Sequence, residues 1–167
     1  MNKEIQKLLN SSKIEEIEKG LKLVRKKGKI QELPLVCNLL NNSQTESLEA
    51  QIIDLISNFK DKKGNEIIVQ SISEIRKQKG NLRAILQACW QSQLDFRQHL
   101  ALFTEIFIES DYNVSLEAFT IIENIWMDNE YENSHRELLI DSIKDNLGEM
   151  DEPKTILAKE LILVLEG

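Results

Sequence analysis

Apolar residues recur at three- and four-residue spacings along almost the whole chain, and no other feature limits its possible folds so sharply. Ile14, Ile17, Leu21 and Val24 form one such stripe, Ile52, Leu55, Ile56 and Phe59 a second, and Leu138, Leu139, Ile143 and Leu147 a third. A period near 3.6 puts each stripe on one helix face, whereas a half-buried strand needs strict alternation, which is nearly absent. The spacing predicts helices near 2–10, 12–27, 30–41, 45–60, 65–78, 81–93, 97–109, 114–128, 133–147 and 153–166. Ser12 and Ser47 are expected as N-terminal caps, and Ser134 with Glu137 as a capping box. Gly28, Gly64, Gly80 and Gly148 suit chain breaks, and Pro153 suits a first helical turn. Links this short force neighbouring helices antiparallel.

A recurrence overlies the helices. Ser47-Leu48-Glu49-Ala50 returns as Ser115-Leu116-Glu117-Ala118, 68 residues later, with Asn81-Leu82-Arg83-Ala84 midway, so the apparent period is 34. Asp61, Asp95 and Asn129 repeat the interval at the helix ends. One helix pair cannot enclose its own apolar stripe, so repeated pairs stack and bury a continuous core between them. The expectation is an all-α fold: a right-handed α–α superhelix of about four to five antiparallel helix pairs. Small Ala50, Ala84, Ala118 and Ala158 near the start of each second helix are expected to let neighbours approach closely.

The run Leu39-Leu40-Asn41-Asn42-Ser43-Gln44-Thr45-Glu46-Ser47-Leu48-Glu49-Ala50 resembles the HEAT-repeat (armadillo-like) pattern. There a leucine-rich first helix ends in a polar turn, and a second helix opens with an aliphatic–charged pair. The segment from Ile108 to Ala118 has the same cadence. The second-helix arginine typical of the family occurs only as Arg83, and the usual turn proline is missing. A 34-residue period is also that of tetratricopeptide repeats, whose tryptophan, glycine and tyrosine signature is absent. The resemblance implies one HEAT-like domain over 1–167, with N-terminal helices 1–28 and repeats near 29–62, 63–96, 97–130 and 131–167. It further implies an α-solenoid acting as a noncatalytic protein-binding scaffold, and it carries over no catalytic residues.

Composition narrows the function classes. No apolar run approaches the roughly 20 residues of a membrane span, and the first residues read as a polar helix start, so neither an anchor nor a secretory leader is expected. Cys37 and Cys89 sit among aliphatic neighbours and read as buried thiols in a reducing cytoplasm. His99 and His135 are the only histidines and have no metal-binding spacing; no phosphate loop or catalytic constellation is present either, so no enzyme, metal or cofactor is expected. The net charge of −7 opposes general nucleic-acid affinity, but it is unevenly spread. Residues 1–83 hold 16 Lys/Arg against 11 Asp/Glu, and residues 84–167 hold 5 against 17.

Two surfaces emerge as candidates for binding. The polar stripes opposite the apolar ones are Gln51, Asp54 and Asn58, then Arg83, Gln87 and Gln91, then Glu117, Thr120 and Asn124. On the superhelix they line the face that would hold a protein or peptide partner. The alternative is a basic edge made by Arg25, Lys26 and Lys27 with Lys60, Lys62 and Lys63, suited to an acidic peptide or a phosphate backbone. Trp90 and Trp126, near the ends of successive second helices, are expected as core anchors or as exposed hot spots.

Overall fold

The computed structural model describes residues 2–41, 45–127 and 133–167, apart from the side chains of 133 and 134. All regular structure among the described residues is helical. The helices are α1 (Lys3–Leu9), α2 (Ile14–Lys27), α3 (Leu33–Asn38), α4 (Glu46–Ser57), α5 (Gly64–Gln78) and α6 (Leu82–Gln91), then α7 (Leu100–Glu109), α8 (Tyr112–Met127), α9 (Asn133–Asn146) and α10 (Glu152–Glu166). The chain divides into two compact units, Met1–Asp95 and Phe96–Gly167.

Within the first unit α1 packs on α2, α3 on α4 and α5 on α6. Across these hairpins α2 touches α4 and α4 touches α6, while α1 touches α3 and α3 touches α5. Odd helices therefore neighbour odd ones, and even helices neighbour even ones. The second unit follows the same rule: α7 packs on α8 and α9 on α10, with α7 against α9 and α8 against α10. The apolar stripes dictate this arrangement. Leu21 and Val24 of α2, Ile52 and Ile56 of α4, and Ile85 and Cys89 of α6 are buried, each at helical spacing, as are Ile68, Ile72 and Ile75 of α5. Gly20, inside α2, marks a close approach of α1, because a Cβ there would lie 2.8 Å from the buried Leu9 Cδ2. A glycine in a helix interior costs about 1 kcal/mol, offset here by the closeness of the α1 contact.

The 34-residue interval holds to within two residues between the starts of the odd-helix segments at Ile30, Gly64, Arg97 and Asn133, but not between those of the even helices. Even helices begin at Ile14, Glu46, Leu82, Tyr112 and Glu152, so successive starts lie 32, 36, 30 and 40 residues apart. Ser47 is the second residue of α4 and Ser115 the fourth of α8, a difference of about 200° around the helix. The matching tetrapeptides consequently face opposite ways. Leu48 and Ser115 are buried, whereas Ala50 and Leu116 are exposed, Leu116 by 41%. Ala84, Ala118 and Ala158 are buried as expected; Ala50 is not.

Other local expectations change too. Thr45, not Ser47, caps α4 by accepting from Leu48 N–H at 3.2 Å, and Lys13, not Ser12, precedes α2 without a side-chain cap. Leu138 is 68% exposed, because Leu139, Ile140 and Ile143 form the buried stripe of α9. Pro153 does occupy the first turn of α10, and Asp151 caps that helix. Asn42 to Gln44 of the HEAT-like run, Asn129 of the recurring turns and the Ser134 side chain lie outside the described residues.

Candidate functional site

On the first unit the outer face of the even helices is polar and cross-linked. Gln51 of α4 donates from Nε2 to Glu18 Oε1 of α2 at 3.1 Å, and the Arg25 guanidinium of α2 pairs with the Asp54 carboxylate of α4. Asn58 Nδ2 donates to the Asp54 carbonyl at 2.8 Å and to Asp54 Oδ1 at 3.0 Å. Asn81, which caps α6 through Ala84 N–H, donates from Nδ2 to Glu49 Oε2 at 2.6 Å. On α6, Arg83 and Gln91 are exposed and Gln87 is half-buried. These bonds run across the helices, so side chains 29 to 33 residues apart meet on one face. Sequence reasoning missed Glu18 and Glu49. The signal that finds them is a polar pair separated by about one hairpin length.

The remaining three residues of the polar stripe belong to the second unit. Glu117 and Thr120 are half-buried and Asn124 is exposed on α8. The Thr120 hydroxyl donates back to the Leu116 carbonyl of its own helix at 3.0 Å. Trp126 on α8 is half-buried, with the Arg136 guanidinium 5.9 Å from its ring centre, and Trp90 on α6 is half-buried as well.

Every member of the basic edge is exposed: Arg25, Lys26 and Lys27 in the last turn of α2, and Lys60, Lys62 and Lys63 between α4 and α5. Two of them are already engaged, Arg25 by Asp54 and Lys27 by Glu4 Oε2 at 3.3 Å. Arg25 thus joins the basic edge to the polar face, two surfaces the sequence kept apart. A cleft of about 600 Å³ opens here. Its walls are apolar (Val24, Ile30, Leu55 and Phe59), and its polar lining includes Arg25, Lys29, Lys60 and Asp61.

A second cleft of about 600 Å³ lies between α3 and α5, lined by Leu35, Ile67 and Ile75 and by the amides of Asn38, Asn41 and Gln78. Asn41 Nδ2 donates to Asn38 Oδ1 at 2.8 Å and to Gln78 Oε1 at 2.9 Å. Its Oδ1 lies over Gly80, where a Cβ would stand 1.9 Å away, so a larger residue there would displace the Asn41 amide.

Two buried charges escaped the sequence reading, and both tie helices together. Glu32, 1% exposed, accepts backbone N–H bonds from Asn2 and Lys29, each at 2.8 Å. Burial works to raise its pKa, but the two N–H donors outweigh it and hold the carboxyl below the usual glutamate value. Lys154 of α10, 7% exposed, donates from Nζ to the carbonyls of Ile108 at 2.5 Å and Ser110 at 2.6 Å, closing the C-terminal end of α7. Burial draws its pKa below the ordinary lysine value against the pull of Asp151 and Asp111.

Both thiols are buried as expected. Burial pushes Cys37 up to about 12 and Cys89 well above its ordinary value. His99 is half-buried and His135 exposed. Among the described residues no group of three His, Cys, Asp or Glu side chains is placed to hold a metal ion, and no helix is long and apolar enough to cross a membrane. No protein-family model, curated protein or solved structure matches the chain.

Proposed function

We propose that the protein is a noncatalytic cytoplasmic scaffold or adaptor, a HEAT-like α-solenoid whose even helices present a polar face to a protein or peptide segment. The observation that carries this reading is the face of α2, α4 and α6. It is partly exposed, rich in amides, and cross-linked by bonds between successive helices. Pre-ordered polar groups lose little entropy on binding, which suits recognition of an extended segment. Even-on-even and odd-on-odd packing within each unit is what a right-handed superhelix of hairpins requires.

The test is affinity capture from native lysate, read by mass spectrometry at low and high salt. The wild type is compared with a Gln87→Glu, Gln91→Glu double variant, whose changes lie outside the core. A partner held by the wild type and lost by the variant supports the reading; an identical captured set refutes it.

A second reading, nucleic-acid binding along the basic edge, draws on Lys26, Lys60, Lys62 and Lys63, all exposed. It requires a mobility shift that fades steeply with salt, because phosphate contacts release counterions. Absence of a shift at low salt disposes of it.

A further inference from the structure

We propose that copies of this chain associate head to tail, the outer face of α10 of one copy seating against the basic cleft of the first unit of the next. Exposed apolar side chains and charge are both divided between the two units. Among the described residues the large exposed hydrophobics are Tyr112, Leu116, Met127, Leu138, Ile156 and Leu163, all in the second unit. Ile156 and Leu163 stand two turns apart on one face of α10, 55% and 67% exposed, while Leu157, Leu161 and Leu165 of the same helix are buried. Exposed Glu152 and Glu160 share the outer face of α10, accompanied by Lys159. Residues 133–167 carry eight Asp/Glu against four Lys/Arg, and one of those four, Lys154, is buried.

The first unit offers the complement. It displays no large exposed hydrophobic among the described residues, but it has a cleft with apolar walls whose charged lining is Lys29, Lys60, Asp61 and an Arg25 paired with Asp54. The first unit holds 16 Lys/Arg and 12 Asp/Glu, a net +4; the second holds 5 and 16, a net −11.

Charge selects the mode of contact. A symmetric pairing of two second units would bury apolar residues but face −11 with −11, and a pairing of two first units would bring no protruding apolar side chain to either cleft. Only the heterologous contact satisfies both terms. Its two halves differ, so the contact either closes on itself, reciprocally between two copies or in a larger ring, or continues as a chain.

The test follows the mass of the full chain by sedimentation velocity up to about 200 µM, a range that detects weak association. It is run at about 20 mM and about 300 mM salt, which bracket strong and weak screening. The expected result is a mass that rises with concentration and falls with salt. Leu163→Asp and the Lys29→Glu, Lys60→Glu pair alter exposed positions, and each is expected to weaken association about tenfold or more with unchanged circular dichroism. Mixed together, the two variants retain one intact contact between them and form a one-to-one heterodimer that grows no further. A wild type that stays monomeric at low salt overturns the proposal. So does association that survives either variant, or a mixture of variants that forms no heterodimer.

Discussion

Replacing Glu32 with glutamine tests how the first unit holds its N-terminal helix. The carboxylate is nearly inaccessible and accepts two backbone N–H bonds, one from the cap residue of α1 and one from the link after α2. Hydrogen bonds to a charged group contribute about 1.5–3 kcal/mol each. Glutamine keeps one acceptor oxygen but turns an NH₂ group toward the second N–H, so that bond becomes a donor facing a donor. The expected loss is about 2–3 kcal/mol, or a fall of about 1 M in the urea midpoint at an ordinary slope. Because the folded pKa is depressed, the stabilisation is complete above the unfolded-state value near 4.3 and vanishes as pH falls through the lower folded value. The gap between wild type and variant should therefore be full at neutral pH and close in acid. Urea unfolding followed by circular dichroism gives the magnitude, and hydrogen exchange gives the place: amides of α1 should exchange faster while those of α8 do not change. A loss below about 0.5 kcal/mol, within the ordinary range for surface substitutions, refutes the reasoning, as does a gap that ignores pH.

Three further outcomes follow from the packing. Lys154→Met keeps the aliphatic stem but removes the donor to the Ile108 carbonyl and leaves the Ser110 carbonyl only the Ser115 hydroxyl, and should cost about 2–3 kcal/mol in thermal or urea unfolding. Ile52→Ala empties a fully buried site on α4 and should cost about 2–4 kcal/mol in the same assay; a value near zero would mean the side chain meets water. Lys79, which ends α5 in the left-handed region at φ 54°, should gain about 1 kcal/mol of stability on replacement by glycine, read as a higher unfolding midpoint.

Helix content was legible because a 3.6-residue period leaves a strong mark even without homologous sequences. The predicted 65–78 and 153–166 lie within one residue of α5 and α10. Apolar spacing predicts one helix over 30–41, but the segment folds as a 3-10 turn at Ile30–Glu32, a short α-helix with Pro34 in its first turn, and a second 3-10 turn at Leu39–Asn41. Apolar spacing does not distinguish these closely related geometries. The recurring tetrapeptide misled for a different reason. Identity in letters fixes neither where a helix starts nor which way a residue points, and Ser47 and Ser115 sit at different distances from their helix starts. The polar stripes were legible one helix at a time. The pairings Arg25–Asp54 and Gln51–Glu18 were not, since they depend on how far one helix slides along its neighbour.

The placement of the two indoles has a practical consequence. The chain has two tryptophans, Trp90 in the first unit and Trp126 in the second, each half-buried. Trp90→Phe leaves tryptophan emission from the second unit alone, and Trp126→Phe leaves tryptophan emission from the first. The molecule thus carries its own pair of optical labels, and the sequence in which its two bodies melt can be followed without attaching a dye.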